Sequence, residues 1–178
     1  MRRGASIAVT IRGLLAKGDG SAAVEFALIM PLFLLMIMGM IQIAWILFTT
    51  QHLENATATM GRLIRTGQAQ EQNLDRVAFR NALCNQVAPV LTCEPDNLLI
   101  DVQRLPTFAT STLEWPIDKD GSFKGNGSYQ LGAGGDIIVL RVFFKLPIWL
   151  PMVGSTFANI GSQKRLLVSS AAFQNEPF

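Results

Sequence analysis

Cys84 and Cys93, one histidine, a close pair of aspartates and a glycine cluster are the residues whose types could carry chemistry. Eight residues separate the two cysteines, so they form no Cys-x-x-Cys redox motif, and the chemistry open to them is a bond to each other. His52 is the sole histidine. A His-based triad or a multi-histidine zinc site therefore cannot be built within one chain, and His52 reads as an interfacial or solvated helix residue. Asp118-Lys119-Asp120-Gly121 supplies two carboxylates but lacks the remaining ligands of a calcium loop. Gly132-Ala133-Gly134-Gly135 precedes a strand pattern rather than opening a helix, which makes it a turn and not a phosphate cradle. Asn55-Ala56-Thr57 and Asn126-Gly127-Ser128 match glycosylation sequons in form only. The expectation is a protein that is not an enzyme, with no cofactor and no metal. A formal charge of +2 is also too small for a nucleic-acid surface.

The elements that must position these residues are read from composition. Hydrophobic residues make up 49% of the 178-residue chain and charged ones only 16%, against about a quarter charged in ordinary globular chains. The imbalance is local. Between Glu25 and Glu54 there is no charge, and within Phe26–Phe48 only Pro31, Gly39 and Gln42 fall outside the hydrophobic set. As a helix that stretch is about 34 Å long, enough to cross a hydrocarbon core of about 30 Å. Arg2, Arg3, Arg12 and Lys17 precede it, and no further cation follows until Arg62, so the N-terminus is expected in the cytoplasm. Residues after the span then face an oxidising compartment. That favours a disulfide closing Cys84–Cys93, the alternative being two buried free thiols, because bridging also needs suitable Cα separation and side-chain directions. An ordinary cleaved secretory signal fits poorly, since its apolar core is shorter and begins sooner.

The junction before the span reads Gly18-Asp19-Gly20-Ser21-Ala22-Ala23-Val24-Glu25-Phe26-Ala27-Leu28-Ile29-Met30-Pro31. A carboxylate at the margin of a membrane helix needs an explanation, because acids are unfavourable in hydrocarbon. One account places Glu25 in the first helical turn at headgroup depth, where the helix dipole favours an anion. Gly20, Ser21, then Glu25 five residues after the glycine, then Phe26 and an apolar helix, resembles the class III signal of type IV pilin-like proteins. The string Ala23 to Pro31 is similar to TadE-type pseudopilins, or minor pilins, of the tight-adherence (Tad, or Flp) pilus, and the closing Asn175-Glu176-Pro177-Phe178 is similar to the ending of TadE-like chains. The resemblance implies a prepilin peptidase cutting after Gly20 on the cytoplasmic side, with Ser21 as the new N-terminus. It further implies that Glu25 pairs with the α-amino group of a neighbouring subunit, which orders assembly; the interfacial account stays open beside it. Phe26, where Flp major pilins carry tyrosine, and the chain's size point to a pseudopilin rather than the main subunit. Pro31 deletes the helical bond to the carbonyl of Ala27 and reads as tolerated by the membrane helix, the alternative being that it helps the helix pack into a filament.

Beyond the span, Leu53, Ala56, Met60, Leu63 and Gly67 recur at helical intervals as a narrow apolar seam, expected to cover the domain's own sheet or, alternatively, a partner. A second helix is predicted from Leu74 to about Val87, with Leu74, Val77, Ala78, Ala82, Leu83 and Val87 on one broad face and Pro89 ending it. From residue 98 the period becomes two: Leu98–Leu105 is predicted as a half-buried strand with Asp101 and Gln103 outward, Asp136–Leu146 as a second strand and Lys164–Phe173 as a third. Pro116–Gly135 should form loops or a loose hairpin. Phe144–Val153 reads as a core-edge turn or an exposed apolar patch.

The expected fold is therefore α+β, a long, partly transmembrane N-terminal helix packed on a small antiparallel sheet, type IV pilin-like. Residues 1–20 are the expected leader, 21–70 the helix with its transmembrane part at 26–48, and 71–178 a periplasmic domain. The function implied is a pseudopilin or minor pilin that supports assembly or priming of a Tad pilus used in surface adhesion. It would sit in the bacterial inner membrane as a single pass, with membrane lipid, the prepilin peptidase and other Tad pilins as partners, and with incorporation into a pilus as a further expectation. The alternative is an unprocessed single-pass protein whose periplasmic domain is a scaffold or receptor.

Overall fold

The computed structural model describes residues 20–88, 90–107, 113–118, 121–150, 154–161 and 163–178. They fall into two compact units, one ending at Ile41 and one spanning Gln42–Phe178. Pro89, expected to end the second helix, lies outside the described residues, as do the leader up to Asp19, Lys119 and Asp120, and Pro151 to Val153.

Helix α1, Ser21–Arg65, is 45 residues long and passes through Pro31. In its first unit the large apolar side chains are exposed, among them Phe26, Leu28, Ile29, Leu32 and Phe33. A helix this apolar that buries so little of itself is long enough to cross a membrane.

From Gln42 onward the helix carries a buried stripe: Gln42, Ile46, Thr49, Leu53, Ala56, Met60 and Ile64 recur every three or four residues. Leu53, Ala56 and Met60 are the expected seam. Ile64, fully buried, replaces Leu63, which is only partly covered, and the helix ends before Gly67. Threonine hydroxyls on this segment satisfy themselves: Thr49 donates to the Trp45 carbonyl at 2.8 Å and Thr57 to that of Leu53 at 2.8 Å. Gly61 lets the helix approach the sheet closely, since a Cβ there would lie 3.1 Å from the Phe173 ring and 3.5 Å from Ala171. The seam thus covers the protein's own sheet.

At Gly67 the backbone turns with φ +79°, a conformation open to glycine at little cost. A short helix α2, Gln68–Glu71, follows, and then α3, Arg76–Val87. Helix α3 starts two residues later than the periodicity predicts because Asp75 is its N-cap, accepting from the Ala78 N–H at 2.7 Å. Its buried face is Phe79, Leu83 and Val87. Val77, expected inward, is 63% exposed, because it lies on the side of α3 away from the buried Phe79–Leu83–Val87 stripe. A disulfide joins Cys84 near the end of α3 to Cys93, with Cα atoms 5.9 Å apart, inside the usual bridging range.

Strands β1 (Leu98–Leu105), β2 (Ile137–Pro147) and β3 (Lys164–Gln174) form one antiparallel sheet in the order β1-β2-β3. Leu98 lies opposite Phe144, Leu105 opposite Ile137, and Gln174 also opposite Ile137 from the other side. A four-residue helix α4, Gly154–Phe157, precedes β3. One face of the sheet, with Ile100, Val102, Ile138, Leu140, Val142 and Leu167, joins the core that holds the buried stripe of α1 and the inner face of α3. The opposite face carries a second cluster, Leu99, Phe143 and Leu166, covered by Ile117, Phe123 and Ile160 from the connections. Phe144, Leu146, Ile148 and Leu150 are buried, so the described part of that segment is a core edge, with Trp149 left partly exposed.

The second cluster changes the reading of β1. Expected to be half-buried, it is buried along most of its length, and Asp101, predicted to face solvent, is 1% exposed. Arg141, directly opposite on β2, supplies the reason: its Nη2 donates to Asp101 Oδ2 at 2.6 Å.

The segment Asn175–Phe178 folds back on the end of α1. The Glu176 N–H donates to the Arg65 carbonyl at 2.9 Å, its carboxylate lies 3.3 Å from Arg65 Nε, and the buried Asn175 amide donates to the carbonyls of Leu131 and Ala133. The Phe178 ring lies over Gly67, where a Cβ would be 2.6 Å from it. Gly67→Ala is expected to cost about 1–2 kcal/mol for the left-handed backbone, plus displacement of the Phe178 ring. Gly67→Asn, which tolerates that backbone better, isolates the second contribution in a urea titration.

Tyr129 ties the loop after β1 to α3, donating through its hydroxyl to the Leu74 carbonyl at 2.8 Å and packing edge-on against Phe79. Burial, and secondarily the negative charge of Asp75, push its phenol up to about 12. The folded state therefore holds this proton more tightly than the unfolded chain does, so the tyrosine's contribution to stability is intact below about pH 10 and is lost as pH rises toward 12. Tyr129 is the only tyrosine. Its ultraviolet ionisation curve is expected to shift upward in the folded protein, and Tyr129→Phe should flatten the alkaline loss of stability.

Candidate functional site

Gly20 forms a turn of tight helix directly before α1, and Gly20, Ser21, Glu25, Phe26 and Pro31 are all exposed. Because α1 begins at Ser21, Glu25 is one full turn inside it, and no acid occupies the first turn. The helix dipole acts on Glu25 more weakly there than it would in the first turn. What meets the carboxylate instead is Ser21, whose hydroxyl donates to Glu25 Oε1 at 3.1 Å, one helical turn apart. The structure thus brings Ser21 and Glu25 together. Phe26 and Pro31 lie further along the same helix, while Cys84 and Cys93 belong to the other unit.

Both Ser21 and Glu25 are exposed, and their side chains are joined only to each other by this hydrogen bond among the described residues. Gly20, a small exposed residue, is followed by the exposed carboxylate of Glu25 at the start of the apolar helix. Elsewhere, Asp118 is paired with Lys124 at 3.3 Å, and no group of three potential metal ligands converges among the described residues.

Four side chains, Gln42, His52, Gln70 and Asn175, carry buried polar atoms without a partner among the described residues. Gln42 is fully buried, and neither atom of its amide has a partner among the described residues; His52 Nε2 is likewise unpartnered, its ring stacked on Phe48. The only signal in the sequence was a lone glutamine in the apolar run.

A 45-residue helix, apolar and exposed over its first half and packed on a three-stranded antiparallel sheet over its second, defines an α+β chain with a helix long and apolar enough to cross a membrane. Residues 20–62 match the family model of the TadE-like proteins, consistent with a TadE-like pilin of the Tad system. No curated protein and no solved structure matches the chain.

Proposed function

We propose that this chain is a pseudopilin, or minor pilin, of a Tad pilus: inserted with its N-terminus in the cytoplasm, cut after Gly20 by a prepilin peptidase, and assembled with other pilins through α1. The observation that carries the reading is the junction itself, where an exposed Gly20 and Ser21 open a long helix whose first carboxylate, Glu25, stands a single turn away. The family match begins at that same glycine. After cutting, the α-amino group of Ser21 becomes a cation beside the hydrocarbon and Glu25 an anion within it. Neither is stable there alone, and pairing between neighbouring subunits satisfies both. Packing of exposed apolar helices supplies the rest of the association, and the domain of residues 71–178, held outside the membrane, primes assembly of a pilus used in adhesion.

Intact mass of protein extracted from membranes tests the first step. The expected mass is that of a chain starting at Ser21. A chain that keeps residues 1–20 in cells with an active prepilin peptidase overturns the reading in favour of an unprocessed single-pass protein.

A further inference from the structure

The outer edge of β1 is partly closed by the chain itself. Val102 donates its N–H to the Ser128 carbonyl at 2.9 Å and accepts from the Gln130 N–H at 3.0 Å, so residues 128–130 form a fragment of a fourth, parallel strand. That fragment leaves the edge at Gly127, where φ is +72°, and Arg76 of α3 holds the departing loop by donating to the carbonyls of Asn126 and Gly127. Since the pleat alternates, Leu98 and Ile100 present their backbone groups in the same direction as Val102. The Ile100 carbonyl is approached by Gly127. No described residue hydrogen-bonds the Ile100 N–H or either backbone group of Leu98 on that side.

Beside this open stretch lies a cleft of about 550 Å³, within the range of binding clefts. One wall is α3, with Arg76, Val77 and Arg80; the opposite side is Phe123 with Lys145, whose ammonium lies 3.8 Å from the ring centre. Among the described lining residues, α3 contributes the guanidinium groups of Arg76 and Arg80, and Asp96 is the one acid. Arg80 spends one donor on the Glu94 carbonyl at 2.8 Å, leaving the rest of its guanidinium for a ligand.

We propose that this cleft binds an extended acidic peptide segment of a partner protein by strand addition to β1. The unpaired edge groups supply main-chain hydrogen bonds and the alternating side chains of the guest divide between the two walls. Acidic side chains meet Arg76 and Arg80, and apolar ones meet Phe123. Charge alone would suit any polyanion; the open edge is what selects a peptide backbone.

The test uses the full chain in non-ionic detergent micelles and a fluorescein-labelled octapeptide of alternating valine and glutamate, read by fluorescence anisotropy. Saturable binding is expected, weakened about tenfold or more when lysine replaces glutamate, and similarly when alternate peptide nitrogens are methylated to remove the edge donors. Arg80→Glu is expected to weaken binding about tenfold and Val77→Lys, at an exposed position on the same wall, to tighten it about threefold. Should Arg80→Glu fail to fold, Val77→Lys carries the test. Equal binding of the methylated peptide would make the cleft a general anion surface and overturn the proposal, as would unchanged affinity in folded Val77→Lys protein.

Discussion

Gly20→Leu is expected to leave the chain uncut, so that its mass after membrane extraction exceeds that of the wild type by residues 1–20. Gly20 is exposed at the mouth of α1 and offers no side chain to an approaching peptidase. A pocket shaped around glycine has no volume for an isobutyl group, and forcing one in costs about 1–3 kcal/mol or more in a well-packed site. Each 1.4 kcal/mol in the transition state is about tenfold in rate, and the uncut form should accumulate. Gly20→Ala, adding one methyl, is expected to slow processing less. Glu25→Ala separates the two roles of the junction: cutting proceeds, while the Ser21 amine loses its partner in the neighbouring helix and piliation fails. A leucine variant cut normally at Ser21 would sink the proposed processing; normal piliation by Glu25→Ala would sink only the charge pairing.

Much of the architecture was legible because it is written in periodicity. The three strands stand within a residue or two of where the two-residue alternation placed them, and α1 follows from an uncharged run no soluble helix needs. What stayed illegible depends on partners distant in sequence. Asp101 looked like a solvent-facing residue because alternation reports only that two faces differ, and nothing local announces that Arg141, forty residues away, lies opposite. Val77 and Phe79 stand two residues apart on α3 and so do not share a face; with Phe79 packed edge-on against Tyr129, Val77 is left outside. Helix α2 is too short for a period to show. In the candidate site, the residues of the junction were visible since they are adjacent in the chain, whereas the β1 cleft joins α3, β1, β2 and a glycine-rich loop whose sequence suggested only turns. Asn175-Glu176-Pro177-Phe178 was visible as a resemblance, but its packing on Gly67 and Arg65 was not.

Arg141→Leu is expected to be the most destabilising single change outside the membrane helix, by about 3–5 kcal/mol, a large share of the roughly 5–15 kcal/mol that holds a typical domain folded. The Arg141 and Asp101 side chains are 8% and 2% exposed. The guanidinium donates through Nε and Nη2 to Asp101 Oδ2, at 3.0 and 2.6 Å, and through Nη1 to the Glu114 carbonyl at 3.0 Å. Asp101 Oδ1 also accepts the Ser128 N–H at 2.7 Å, and Gln103 donates to the same carboxylate. Leucine fills the space but leaves the aspartate buried with two neutral donors and no countercharge. Removing both charges, as in Asp101→Val with Arg141→Leu, is expected to recover part of the loss, because a buried pair replaced by apolar residues is often close to neutral. Recovery stays partial: the part-buried Ser128 N–H and Glu114 carbonyl lose their partners and must turn to water instead. Trp115, edge-on to Phe143 at 5.6 Å, places a fluorescent reporter at this face for urea titration in micelles. A double variant as unstable as the single one would mean that the pair acts through its loop tethers rather than its charges. In that case both variants should also free the segments around Glu114 and Ser128, and affinity for the acidic peptide should fall in step with stability.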